Sequence, residues 1–205
     1  MKIHYFNLYG RAEPMRMLLN HKGVAFEENV VTFAVWPEQK ASMVGKFLPN
    51  IELDDGTKFA QSSSMLRYLG RTHGYYSEDA LEALNIDMVS EFAGDVLSVI
   101  YKPHFAKEED RPAMVKGIVE ESLPKLLEVI ADRLAAGSWM VGGRLTIADF
   151  MVGQIYTNYL ANPHIVYGKE EFAAFLEANP TFKAFGERFA LENKAHLDSR
   201  PAYGI

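Results

Sequence analysis

The chain has 205 residues, 48% hydrophobic and 23% charged, with a formal net charge of −6 and no cysteine. That length allows one large domain or two small ones, and the composition is that of an ordinary globular protein. The missing cysteine excludes disulfides, thiolate metal sites and any cysteine nucleophile within the chain, so thiol chemistry here requires a thiol carried by a ligand.

The acidic balance, with no basic block, argues against nucleic acid as a partner. No apolar run reaches the roughly 18–20 residues of a spanning helix, and no basic-then-apolar leader precedes the first strand. A soluble, cytoplasmic protein with no membrane partner is expected. The six histidines are scattered. His104 and His164 have no neighbours at metal-ligand spacing, so no metal site is expected.

The first element is a strand: Ile3, Tyr5 and Asn7 alternate with His4, Phe6 and Leu8. Gly10 breaks it. Ala12, Met15, Leu18 and Leu19 then repeat at helical spacing, with Glu13 in the first turn and Pro14 where a missing N–H costs little. This strand–turn–helix places Tyr5, Tyr9 and Arg11 at the carboxyl end of a strand, an edge where open α/β sheets bind ligands. Gly23 closes the helix, and residues 26–32 read as a second strand.

Trp36-Pro37 opens a short, irregular helix that contains Lys40. Asp55-Gly56 between apolar runs is a hairpin signal, pairing residues 50–53 with 57–60. Pro49 stands at the first residue of a strand, which proline tolerates. Gln61-Ser62-Ser63-Ser64 precedes the helical face of Met65, Leu66, Tyr68 and Leu69. One of these serines is expected to be the N-cap, and hydroxyls with free amides at a helix start also suit a carboxylate.

After a polar break at residues 72–79, only helices are expected, over 80–101, 111–135, 146–161, 170–178 and 181–190. The order is βαβαββα followed by an all-helical part, an α/β plus all-α fold. The expected division is residues 1–74, a linker at 75–80, and residues 81–205. Thr146 and Asp149 form a capping box, a folding feature rather than chemistry, and Gly153 permits close helix packing. Asp87, Glu91 and Asp95 share one helix face: either a solvated acidic stripe or a surface that meets a cation.

Several short motifs stand in a telling order. They are Tyr5-Phe6 with Gly10-Arg11-Ala12-Glu13, Trp36-Pro37-Glu38 with Lys40, and Leu48-Pro49. Gln61-Ser62, Leu66-Arg67-Tyr68-Leu69 and the box at 146–149 complete them. Together they resemble a cytosolic glutathione transferase of the sigma class and its mu and pi relatives, over essentially the whole chain. The resemblance implies a thioredoxin-like N-terminal domain, an all-helical C-terminal domain, glutathione as co-substrate and a homodimer.

It also implies roles. Tyr5 resembles the phenol that hydrogen-bonds the glutathione sulfur, and Arg11 the arginine that supports it. Trp36, Lys40 and Lys46 resemble residues at the glycyl end. Leu48 would pair its main chain with the cysteinyl backbone ahead of a cis-Pro49. Gln61 and Ser62 resemble the pair on the γ-glutamyl carboxylate, and Asp95 the aspartate that reaches the partner subunit's γ-glutamyl amine. The electrophile would lie against Phe6, Tyr9, Tyr101, His104 and Phe105. A free thiol, with pKa near 8.5, is mostly protonated at neutral pH, and a donated hydrogen bond favours its anion.

Some features depart from the family pattern. Tyr9 is a second tyrosine, so the hydroxyl that reaches sulfur is not set by sequence alone, although Tyr5 is preferred. The segment around Lys46 is one residue longer than the usual spacing. Lys102 and Pro103 fall where the apolar pocket is expected. Gly94 interrupts the acidic cluster tied to Mg²⁺ in some sigma relatives, so no metal requirement is expected. Three activities fit the motifs: conjugation of hydrophobic electrophiles, a prostaglandin-type isomerase, and a non-enzymatic binding or structural protein on the same scaffold.

Overall fold

The structure is a computed structural model that describes residues 1–137 and 139–205. Four strands, β1 (Lys2–Phe6), β2 (Glu27–Val31), β3 (Asn50–Glu52) and β4 (Lys58–Ala60), form one sheet in the order β2-β1-β3-β4. β1 pairs parallel to β2 and antiparallel to β3, so the sheet is mixed. The hairpin falls where Asp55-Gly56 placed it, with Ile51 opposite Phe59 and Gly56 in the left-handed region at φ 84°.

The helices of this half are α1 (Glu13–Lys22), the short α2 (Trp36–Gln39) and α3 (Ser62–His73). Gly23, at φ 73°, caps α1 by donating to the Asn20 and Leu19 carbonyls. Alternation in β1 turns Ile3 and Tyr5 to the face covered by Met15, Leu18, Leu19, Met65 and Leu69 from α1 and α3.

The remaining helices are α4 (Ala80–Ile100), α5 (Lys102–Phe105), α6 (Arg111–Gly117), α7 (Leu123–Ala135), α8 (Ile147–Ile155), α9 (Lys169–Ala178), α10 (Pro180–Glu192) and α11 (Lys194–Ser199). The expected helix at 111–135 is divided by a wider π turn at Ile118–Ser122. Pro124 stands at the second residue of α7, and its missing N–H cannot continue the ordinary ladder. A second π turn, Tyr156–Leu160, ends α8 and carries Tyr159 toward the sheet's carboxyl edge. α5 and α11 were not expected. Both are too short for an apolar period to show. Among the described residues, no helix is long and apolar enough to cross a membrane.

α8 is buried along its whole length and packs on α4, α1 and α3, joining the two halves. Its start is the expected capping box. Asp149 accepts from the Thr146 amide (2.8 Å), the Thr146 hydroxyl (2.9 Å) and the Met140 amide (2.7 Å). A Cβ on Gly153 would stand 2.3 Å from the Phe189 ring, so glycine permits the approach of α10.

A buried ionic cluster makes the second junction. Glu13 of α1 accepts from His196 (2.8 Å) and Arg200 (2.7 Å) and pairs with Arg16 (3.3 Å). Burial alone would raise the Glu13 carboxyl. The His196 hydrogen bond and the charges of His196, Arg200 and Arg16 outweigh it and bring the pKa down to about 2. Arg16 also holds Glu28 of β2 through two bonds and the Leu8 carbonyl at 2.8 Å, which ties the turn after β1 to this cluster.

Candidate active site

A cavity of about 220 Å³ opens at the carboxyl end of β1, between the turn at Gly10–Ala12 and the helical half. Tyr5 is its polar floor. The Tyr5 oxygen accepts the Arg11 main-chain N–H at 3.1 Å, which leaves the phenolic proton free to be donated. Burial raises the Tyr5 pKa against the opposing Arg11 hydrogen bond and the Arg16 and Arg11 charges, so the phenol is neutral at physiological pH. Arg16 lies 5.7 Å from the ring centre. Gly10, at φ 42°, is required here for space: a Cβ would stand 2.5 Å from the Tyr5 oxygen.

The walls are largely apolar. Phe6, Tyr101 and Phe105, all expected, line the cavity with Leu48 and Arg11. Leu8, Phe33, Leu97, Tyr159 and Ile205 complete it and were not anticipated. Phe33 stacks on Phe6 at 4.8 Å, but it stands in a loop without periodicity. Tyr159 and Ile205 arrive from distant sequence, so no local pattern marks them.

Two expected pocket residues lie elsewhere. Tyr9 turns away from the cavity, and its hydroxyl is engaged by Pro201 and Tyr203. The reason is the turn: Gly10–Ala12 reverses the chain immediately after Tyr9, so Tyr5 and Tyr9 point to different neighbours. His104 packs on Phe105 with its Nδ1 buried and unpartnered, and burial with the Arg111 charge lowers its pKa. Lys102 is exposed on α5 and Pro103 is buried; neither lines the cavity.

A second, polar recess of about 220 Å³ adjoins this cavity, and Arg11 lines both. Ser62 and Asp95 face it from α3 and α4, with Glu91, Ser98 and Gln154. Carboxylate, guanidinium, hydroxyl and amide groups together suit a ligand that carries both an ammonium and a carboxylate. The α3 N-terminus differs from expectation. No serine caps it. Gln61 occupies the N-cap position at φ 74°, with no side-chain bond to the first turn, and the helix begins at Ser62. The serine hydroxyls therefore sit inside the first turn.

The other candidates lie around the rim. Leu48 lines the cavity, and the Leu48-Pro49 peptide is cis. Asn50, fully buried, holds this loop by accepting from the Val44 amide (2.7 Å) and donating to the Phe47 (2.9 Å) and Pro49 (3.0 Å) carbonyls. A polar residue in a strand gave no advance signal of that role. Trp36 sets its edge on Phe6 at 5.5 Å, and the Lys40 ammonium lies 6.0 Å from the Trp36 ring centre. Lys46 is exposed in the left-handed region, at φ 57°. Trp36, Lys40, Lys46 and Gln61 line neither recess. The acidic face of α4 is not simply solvated: Asp87 accepts from Arg67 (2.9 Å) and Tyr76 (2.7 Å), and Arg67 also lies 3.7 Å from Glu91.

Comparison with known proteins agrees with this architecture. Residues 94–196 match the family model "Glutathione S-transferase, C-terminal domain". Glutathione S-transferase 2 of Manduca sexta is 35% identical, covering 97% of this chain and 95% of its own. Glutathione S-transferase Mu 1 of Oryctolagus cuniculus is 32% identical over 92% of this chain and 85% of its own. Among solved structures, prostaglandin synthase D of Nilaparvata lugens superposes with a TM-score of 0.81 at 25% identity, over 98% of both chains. A thioredoxin-like sheet, an all-helical second half and relatives matched over nearly their full lengths place this chain in the glutathione S-transferase family.

Proposed function

We propose that this chain is a tyrosine-type glutathione transferase that uses Tyr5 to hold the glutathione sulfur as thiolate. The observation that carries this reading is the Tyr5 hydroxyl. It is buried, neutral, already accepting from Arg11, and left with one proton to donate beside an apolar cavity. A donor aimed at sulfur favours the anion, and the Arg11 charge acts in the same direction. The thiolate attacks an electrophilic carbon held against Phe6, Tyr101 and Phe105. A carbon–sulfur bond forms as a leaving group departs or the adjacent carbanion takes a proton.

Glutathione would lie with its γ-glutamyl end toward Arg11 and Ser62 in the polar recess. Its cysteinyl backbone would meet Leu48 ahead of Pro49, and its glycyl carboxylate would lie near Trp36, Lys40 and Lys46. Gln61 would assist Ser62 at the γ-glutamyl carboxylate. We assign the working form as a cytoplasmic homodimer. Leu81, Leu84, Met88 and Phe92 expose an apolar stripe on α4 that continues to Asp95, which would then serve the partner's site. Thiolate absorbance on adding glutathione at neutral pH tests the proposal, and its absence would overturn it.

The similarity to a prostaglandin synthase favours a second reading, isomerisation of an endoperoxide in the same cavity. There the thiolate would form an S–O bond with one peroxide oxygen as the O–O bond breaks and the other oxygen takes up a proton to become a hydroxyl. Removal of the proton from the carbon bearing the sulfur-bound oxygen would then form a carbonyl and expel the thiolate. A panel of aryl halide, isothiocyanate, enone, hydroperoxide and endoperoxide substrates separates the two.

A further inference from the structure

Tyr9 is fastened to the segment 200–205 at several points. Its hydroxyl donates to the Pro201 carbonyl at 2.8 Å and accepts from the Tyr203 amide at 3.0 Å. Its main-chain N–H donates to the Ile205 carbonyl at 2.7 Å. The Arg200 guanidinium lies 3.9 Å from its ring centre, and the Tyr203 ring lies at 5.2 Å. Segment 201–205 has no helix or strand of its own, so its polar main chain depends on such outside partners. One phenol meets two of them.

The segment is anchored at its root. Arg200 donates to Glu13 and Asn158 at 2.7 Å each and to the Thr157 carbonyl at 3.1 Å. Midway, Asn162 donates to the Tyr203 carbonyl at 3.1 Å. At the far end, Ile205 is buried and forms part of the wall of the Tyr5 cavity, with Leu97, Tyr101 and Tyr159.

We infer that Tyr9 is a positioning residue for electrophile specificity: its hydroxyl holds segment 200–205 as a strap, and the strap sets Ile205 against the electrophile. This inference rests on the reading of the Tyr5 cavity given above. It assigns the two tyrosines of the first turn separate tasks. Tyr5 faces the sulfur, and Tyr9 acts through Ile205 on the far wall.

Tyr9→Phe keeps the ring under Arg200 and the main-chain bond to Ile205 but removes both hydroxyl contacts. Ile205→Ala opens the same wall and leaves the hydroxyl contacts intact. Amide hydrogen exchange over residues 202–205 should quicken about tenfold in Tyr9→Phe. In both variants the ratio of kcat/KM for a bulky aryl electrophile to that for a small one should rise severalfold. The KM for glutathione should stay within about twofold. Unchanged exchange in Tyr9→Phe, or an unchanged ratio in both variants, would overturn the inference. So would an equal loss of glutathione binding and turnover in Tyr9→Phe, since that places Tyr9 at the thiol. If Tyr9→Phe fails to fold, Ile205→Ala alone decides the specificity claim. A wild type that conjugates no electrophile while its strap amides are protected would overturn the functional reading, and the specificity claim with it. Unprotected strap amides in an active wild type would overturn the strap alone.

Discussion

The Arg11 amide donates to the Tyr5 hydroxyl oxygen at 3.1 Å, and this bond determines what the phenol can do. With one lone pair taken by a fixed main-chain donor, the O–H turns outward as a donor. The donor is held by backbone, so it is set by the fold before any ligand arrives.

Gly10→Ala tests that placement from the other side. The new Cβ would fall 2.5 Å from the Tyr5 oxygen, at a backbone φ of 42° that alanine disfavours. The phenol must shift, and misplacing a single donor costs roughly 10²-fold in rate. Conjugation kinetics should show a kcat loss of that order, with the circular dichroism of the fold retained. A kcat close to wild type would mean that Tyr5 is not the donor.

Asp95→Ala should weaken glutathione binding and leave the fold intact. Asp95 is exposed at the edge of the recess that Arg11 and Ser62 share. Removing a charge that faces an ammonium costs about 1–3 kcal/mol, or roughly five- to 150-fold in affinity. Calorimetric titration with glutathione measures it, and unchanged affinity would remove Asp95 from the site.

The Glu13 cluster gives stability a pH dependence of known sign. Its pKa is about 2 in the folded chain and higher when unfolded, so the unfolded state binds the extra proton as pH falls. The stabilisation is complete above about pH 5 and is lost as pH drops toward 2; it amounts to about 3 kcal/mol. Glu13→Gln should remove this pH dependence from chemical denaturation curves. It should also lower stability at neutral pH by about 3 kcal/mol, because Arg16 and Arg200 lose their buried partner.

Asp149→Ala should be among the costlier single substitutions. It leaves the buried Met140 and Thr146 amides without acceptors, at about 1–3 kcal/mol each. Thermal unfolding should shift down by several degrees, with little change in the KM of the remaining folded enzyme.

Much of the fold was legible because the chain announces it locally. The change from alternation to helical spacing at Gly10, the Asp55-Gly56 turn and the Thr146–Asp149 box are short-range signals, and the elements stand where these place them. Tertiary context supplied the rest. The Ser62–Ser64 run looks like a cap, yet Gln61 occupies that position because the chain leaves β4 in the left-handed region. Tyr5 and Tyr9 are alike in sequence, and only the packing of residues 200–205 separates them. Tyr159, Ile205 and Asn50 act through contacts that no periodicity encodes. Arg67 converts an apparent acidic stripe into a bonded junction between α3 and α4.

The most direct measurement is a pH titration of the bound glutathione thiolate by ultraviolet absorbance, in the wild type and in Tyr5→Phe. A donor on sulfur should lower the thiol pKa from near 8.5 to about 6–7 in the wild type, with return toward 8.5 in the variant. Equal pKa values in the two proteins would contradict the assignment of Tyr5 as the residue that holds the thiolate.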